Sequence, residues 1–322
     1  MGGAMGTARD VGAGLMAGGY VAARAVQKPI AYEKQLAGMA NVAYSDRGVK
    51  GRIAGMKELD AVIAASVREG GGSREQAAGA LNSMLAAGTD IETAKSLLPV
   101  VQKAATAAQA DPNELALVLV KGIQQGQFKP EQAKAALEKA IRAGEAGQFE
   151  LKDMARWLPQ IMAAGKGMKG MEGYEQHLAN LQAVAQVTGS SDQAGNAYFN
   201  LLGKLTAPDA AKNFEDFGVN LPKELSAAAQ RGEDPVSAFA RLVEQRVVNT
   251  NRSYKKIKAQ LATAKGADRQ ALLQQAAEIL QGSAVGRIIQ DREAMLGLVG
   301  VMNQGATKRD VLDQLKEADG AI

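Results

Sequence analysis

A chain of 322 residues with 46% apolar content is long enough for a sizeable core or for several helical subdomains in series, but aromatics make up only 4% of it. The interior must therefore come from Ala, Leu, Val, Ile and Met, on helices that approach closely and each bury little area. The absence of cysteine excludes disulfides and thiolate metal sites, and a net charge of +4 makes no case for a dedicated nucleic-acid binder.

β-branched alternation is almost absent, so the 36 glycines and 8 prolines read as stops between helices rather than as bulges and hairpins. The pattern predicts an all-α protein, an irregular multi-helix array with short Gly/Pro-punctuated connections and no β-sheet. It divides into a Gly/Ala-rich apolar segment (1–28), a multi-helix core (29–232) and longer helices with a helical hairpin (233–322).

Met1 to Val26 carries no charge between Asp10 and Arg24, and Gly14 and Gly18 form a G-x-x-x-G step. The uncharged run is shorter than the roughly 20 apolar residues of a membrane span, and it lacks the positive start of a signal peptide. It reads as a weakly stable helix packing on protein, with helix self-association as the alternative. Membrane contact through residues 11–26 is open, but a span is not predicted.

Pro29 suits a first helical turn, and that helix runs to about Tyr44. Ile53, Met56, Leu59, Val62, Ile63 and Val67 form the stripe of a second helix, which Gly70-Gly71-Gly72 ends. Ser73 and Gln76 have capping-box spacing, as do Thr89 and Glu92 before a helix carrying Ala94, Leu97, Leu98 and Val101, with a kink expected at Pro99. Asp111-Pro112-Asn113-Glu114 combines an acidic cap, a proline at the first helical position and an acid in the first turn. The run it opens, Leu115 to Ile123, is apolar nearly all round and is a candidate central helix.

Lys129-Pro130-Glu131 starts the next helix, ending near Gly144, and Leu151, Met154, Leu158 and Ile161 mark another. Gly165 to Gly173 reads as a flexible link before a helix around Leu178, Leu181 and Val184. Ser190 and Gln193 then form a capping box opening a helix with Ala194, Ala197, Tyr198, Leu201, Leu202 and Leu205 on one face. Thr206-Ala207-Pro208 ends it, and a second helix presents Ala211, Phe214 and Phe217 before Gly218, a residue suited to a left-handed terminus. Val187 to Asn220 is thus expected to be a tight helix pair.

Asp234-Pro235 caps a long helix with a heptad-like seam through Val243, Val247, Thr250, Tyr254, Ile257, Leu261 and Ala264. Gly266 breaks it, and Leu272, Ala276 and Ile279 offer the return stripe of a hairpin. Leu280 to Met302 is apolar, and Thr307 can cap a last helix with Val311, Leu312 and Leu315. Unit lengths vary and no signature recurs at fixed spacing, which favours an irregular array over a true solenoid.

Several of these stretches resemble one family. The TG-S-x-x-QA opening at Thr188, the Y-x-x-LL helix, the small-residue/Pro turn and the closing F-x-x-F-G-V resemble the core region of phage tail tape-measure proteins of the TP901 type. Pro29 through Val42 resembles the entry segment of that family. Leu85-Ala86-Ala87-Gly88 with Ala94 through Leu98 resembles its small-residue step, and Leu280 to Gly286 its closing motif. The resemblance covers Gln27 to Met302 and marks the chain as part of a longer protein. It implies a structural protein of a phage or prophage tail that occupies the tube lumen and templates tube length, in the virion and, during assembly, in the host bacterial cytoplasm. Implied partners are the tail-tube protein, the tail assembly chaperone and baseplate or tail-tip proteins, with self-association as a further possibility. The alternative is a bacterial all-helical scaffold or adaptor mediating protein–protein interactions.

Chemistry-bearing residues are sparse. His177 is the only histidine, excludes a multi-His zinc site and reads as a surface residue. Gly165-Lys166-Gly167-Met168-Lys169-Gly170 lacks the G-K-[ST] ending of a phosphate loop, and no strand precedes it. Glu215 and Asp216 read as a solvated face, and Lys255, Lys256 and Lys258 likewise, with nucleic-acid contact as the sharper alternative. Trp157 reads as core, with an interface anchor as its alternative. No catalytic, cofactor-binding or metal-ligating residue and no cofactor is assigned, and a non-enzyme is expected.

Overall fold

Short polar side chains begin the helices. In the computed structural model, which describes residues 30–249 and 251–322, Ser73 and Gln76 form the reciprocal capping box expected of them. Asp111, Asn220, Asp234 and Asp291 each accept a hydrogen bond from a first-turn backbone N–H. Such caps satisfy donors that the helix itself leaves orphaned.

The helices are α1 (30–43), α2 (Val49–Gly70), α3 (Arg74–Ala86), α4 (Ile91–Ala108), α5 (Pro112–Gln124), α6 (Ala133–Ala146), α7 (Leu151–Ala164), α8 (Gly170–Ala185) and α9 (Ser191–Leu205). There follow α10 (Pro208–Glu215), α11 (Leu221–Gln230), α12 (Pro235–Leu242), α13 (Arg252–Leu261), α14 (Gly266–Gln281), α15 (Ala284–Ile288), α16 (Arg292–Asn303) and α17 (Gly305–Gln314). A 3₁₀ turn, Pro130–Gln132, leads into α6. The described residues contain no strand.

From Val49 to Gln230 no connection exceeds five residues, so successive helices must run back along one another. One packing rule holds across most of this region. Each helix lies on the next but one: α2 on α4, α4 on α6 and α6 on α8 make one layer, and α3 on α5, α5 on α7 and α7 on α9 make the other. α5, with Leu115, Ala116, Val118, Leu119 and Val120 buried, is the central helix its all-round apolarity predicts. Buried Gln182 on α8 ties the α6–α7 connection down, accepting from the backbone N–H of Gln148 and Phe149 and donating to the Phe149 carbonyl at 2.7 Å.

The C-terminal helices return to the far end of these layers. α16 lies across α9 and α8, α17 lies across α8 and α6, and α14 backs α16. Lys139 donates to the Leu315 carbonyl (2.7 Å), and the Gly320 N–H donates to the Glu138 carboxylate (2.8 Å). One continuous apolar cluster runs from Leu36 to Leu315. Alanine and leucine supply most of its buried members, as an aromatic-poor composition demands.

The structure corrects several local expectations. The helix from Pro235 is not continuous: α12 passes into a π turn at Val243–Val248, and α13 starts afresh at Arg252 under an Asn251 cap, with Val243, Val247, Tyr254, Ile257 and Leu261 buried nonetheless. The α13–α14 hairpin is present, but the buried face of α14 is Leu273, Ala276, Ala277 and Leu280, and Leu272 and Ile279 are only half-buried. Asp90 rather than Thr89 caps α4, accepting from Thr93 N–H at 2.9 Å. Thr307 lies inside α17, because the Gln304 N–H bonds back to Gly300 and α16 runs almost directly into α17.

The stretch Val187 to Asn220 does form two helices, with Gly218 in the left-handed region at φ 68°. They are not mainly each other's partners. α9 packs on α16, α7 and α8, whereas α10 faces α15 and sends Phe214 edge-to-face against Phe239 on α12, 5.4 Å between centroids. The expectations for 1–28, the Pro29 helix start and the Thr250 position of the seam lie outside the described residues.

Candidate functional site

Two of the motif stretches meet in space. Val187, Gly189 and Gln193, at the entry to α9, and Gln281 and Gly282, at the end of α14, line walls of one cleft of about 590 Å³. Its floor is apolar and buried: Val187, Ala277, Met295 and Leu296. Its rim is made of amides, Gln193, Gln274 and Gln281, with Glu278 and Arg292 as the charged members.

Local chemistry fixes these walls. Ser190 caps α9 by accepting from the Gln193 N–H (3.2 Å), while the Gln193 amide oxygen reaches past Ser190 to accept from the Gly189 N–H (3.0 Å). The expected capping box is thus displaced by one residue on its return side. The amide nitrogen of Gln193 donates to Glu293 on α16 (3.4 Å), and Gln270 donates to the Thr188 carbonyl (3.4 Å). Ser283 caps α15 through the Val285 N–H, and a side chain at Gly286 would run into the Gln281 carbonyl. The glycine of the second motif is therefore a packing requirement.

A polar group lies inside the core between α8 and α9. Nδ1 of His177 is 3.0 Å from the Tyr198 hydroxyl, which also accepts from Asn180 Nδ2 at 3.1 Å. Burial drives His177 down to about 3, and burial likewise raises Tyr198 well above the usual phenol range. His177 is fully buried, contrary to the surface position expected of it, so it is not presented to any solvent-borne substrate. Its ring presses on Gly165, where a Cβ would sit 2.2 Å from Cε1. Gly165 is there for that contact, and the expected flexible link is instead pinned: Met168 is buried, its carbonyl accepts from Gln127 (2.7 Å), and the Gly170 N–H donates to Gly126 (2.8 Å).

Next to this group Lys308 on α17 donates to Asp234 (2.9 Å) and to the Ser237 hydroxyl (2.8 Å), while Asp234 caps α12. Burial pushes the Asp234 carboxyl up, but Lys308 and the Ser237 bonds outweigh it and hold Asp234 below the usual carboxylate range. Among the remaining singled-out residues, Lys255, Lys256 and Lys258 are exposed, as are Glu215 and Asp216. Trp157 is half-buried, lies over Gly195 and donates to Asp192 at 3.3 Å, fastening α7 to α9. No cluster of three or more metal-ligating side chains occurs among the described residues, and no described helix is long and apolar enough to cross a membrane.

Residues 64–277, from α2 into α14, match the family described as phage-related minor tail protein, well over half of the chain. The chain belongs to that family. This minor tail protein is also similar to a probable tape measure protein of Burkholderia phage BcepMu, 28% identical over 179 residues that cover 55% of this chain and 21% of the relative. It therefore spans about a fifth of that relative's length. No solved structure matches it. The family match takes in both helices of the Val187 to Asn220 stretch and α14 as far as Ala277, and leaves Glu278, Gln281 and Gly282 of the cleft beyond its end. The α16 wall, with Arg292, Met295 and Leu296, lies beyond it, inside the Leu280 to Met302 stretch that the sequence marks only as apolar. Its one local signal is the Asp291 cap before an apolar run.

Proposed function

We propose that this minor tail protein is the folded core module of a tape measure protein of the TP901 type, a non-enzymatic part with no cofactor or metal. The observation that carries the reading is its similarity over 179 residues to a probable tape measure protein. On this reading the protein occupies the tail-tube lumen in the virion and is present in the host cytoplasm during assembly. It meets the tail-tube protein, the assembly chaperone and the baseplate or tail tip. The cleft between Gln193, Gln281 and Arg292 is the surface best suited to such contacts, because an apolar floor with an amide rim binds polypeptide without demanding one charge. The segments 1–28, 29–232 and 233–322 are its working divisions.

The module is not the rod that sets tail length. The longest helix among the described residues is α2, with 22 residues, or about 33 Å at ~1.5 Å per residue. A fold in which each helix doubles back spans a small fraction of the ~480 Å that the same chain would reach as one helix. Length is then encoded in uninterrupted helices elsewhere in the parent protein. The test is electron microscopy of tails from phage carrying in-frame deletions. Deletions in those long helices are expected to shorten tails by about 1.5 Å per residue. Deletions within Val187 to Asn220 are expected to abolish or derail assembly. Intact tails shortened in proportion to the latter deletions would overturn this division of labour.

A further inference from the structure

The net charge of +4 is not spread over the chain. Residues 245–267 hold six cations, Arg246, Arg252, Lys255, Lys256, Lys258 and Lys265, and no acid, so all other residues together carry −2. The block is centred on α13, whose two faces differ sharply. Tyr254, Ile257 and Leu261 are buried, and the Tyr254 hydroxyl donates to Asn303 on α16 at 3.1 Å. Arg252, Lys255 and Lys256, three and four residues apart, stand together on the opposite side and are exposed, as is Lys265 just before α14.

Of the six cations, Lys258 bonds to Glu244, and no acid among the described residues pairs with any of the other five. Like charges at these spacings destabilise a helix. α13 carries that repulsion uncompensated, while its buried face holds it in place.

We infer that the outer face of α13 binds the phosphate backbone of duplex DNA without reading its sequence. A polyanion relieves the repulsion, and each neutralised phosphate releases a condensed counterion. Exposed Ser253 and Gln260 on the same helix add hydrogen-bonding groups of the kind that position a protein on phosphates. An acidic protein surface is the weaker partner, because the core of a protein interface is depleted in lysine and built on apolar anchors. α13 presents none: the exposed large apolar side chains of the described residues are Ile30, Val42, Val49 and Ile53, on α1 and the start of α2. The same lack counts against a membrane, where surface helices add an inserted apolar face to their charge.

The test is fluorescence anisotropy of a labelled DNA duplex of mixed sequence, titrated with the full chain at several salt concentrations. Log affinity is expected to fall against log salt with a slope of roughly −3.6, for about four neutralised phosphates. Lys255→Ala with Lys256→Ala should reduce the size of that slope by about 2 and weaken binding about tenfold or more at low salt. Lys255→Arg with Lys256→Arg should bind as the parent does. Lys50→Ala with Lys57→Ala removes the same charge from exposed positions on α2 and should leave binding within about twofold, since salt screens distant charges. Equal losses in the two alanine pairs overturn the inference, because net charge alone would then set the affinity. Undetectable or salt-insensitive binding of the duplex overturns it too. So does poly-L-glutamate that displaces the labelled duplex as well as unlabelled duplex does at equal charge, which identifies an acidic protein surface. Flotation with vesicles of anionic phospholipid without duplex binding likewise overturns it and identifies a membrane.

Discussion

His177 on α8 and Tyr198 on α9 are hydrogen-bonded at 3.0 Å inside an interior that gives the imidazole no room to charge. Its pKa falls from 6.5 to about 3 because burial penalises the cation, while the nearby Asp234 and Lys308 act on it in opposite directions. The unfolded chain takes up the proton near pH 6.5 and the folded chain does not, so stability rises with pH through this window and is lost on acidification. The loss from this group between pH 7 and pH 5 is about 2 kcal/mol. Urea unfolding at the two pH values should show it in the native protein, and the slope should flatten in His177→Gln. An equally steep slope in that variant would assign the acid sensitivity to other groups.

Asp234 and Lys308 join α12 to α17 across the chain's return, with only 12% and 13% of their side chains exposed. Removing the cation leaves a mostly buried carboxylate without its partner, a change that costs about 3 kcal/mol. Lys308→Met should lower the unfolding midpoint accordingly. Adding Asp234→Asn should recover part of that loss, since the amide still caps α12 and carries no charge to desolvate. The pH sign here is that of a carboxylate: Asp234 contributes above about pH 3.8 and its contribution fades as pH falls further, below the His177 window. A double variant less stable than Lys308→Met alone would contradict the pair as the source of the effect.

How much of this was legible in the sequence depended on whether a local pattern had one solution. Asp111-Pro112 has one, and α5 starts there. Thr89–Glu92 and Asp90–Thr93 are both cap spacings. The choice between them is made by the end of α3, where the Thr89 N–H bonds to the Met84 carbonyl and Gly88 takes φ 88°, so Thr89 belongs to the previous helix's terminus. His177 was readable as core in principle, since it continues a stripe through Tyr174, Leu181 and Val184, but its chemistry argued for the surface. The cleft was half visible: its α9 and α14 walls carry the motif stretches, while its α16 wall is set by long-range packing that no local spacing encodes.

Glycine offers the sharpest separation of local from tertiary effects, because two helical glycines at one helix crossing differ in what surrounds them. Gly203 on α9 is exposed, and a Cβ built there meets nothing within 4 Å. Gly297 on α16 faces α9 itself: its Cβ would lie 2.6 Å from the Ala197 carbonyl oxygen and 3.1 Å from its carbon, backbone atoms with no rotamer to change. Three residues on, a Cβ at Gly300 would lie 2.7 Å from the Cα of Val184 on α8. α16 can therefore approach α8 and α9 this closely only through glycine. Gly203→Ala should stabilise the protein by up to about 1 kcal/mol, the helix-propensity difference acting alone. Gly297→Ala gains the same local preference but must separate two helices, an overpacking cost of about 1–3 kcal/mol, so that at the upper end about 2 kcal/mol of stability is lost. Urea midpoints of the two variants should move in opposite directions with unchanged slopes. If Gly297→Ala were stabilised as much as Gly203→Ala, α16 would not cross α9 at the separation seen here, and the C-terminal helices would not be seated on the motif-bearing pair.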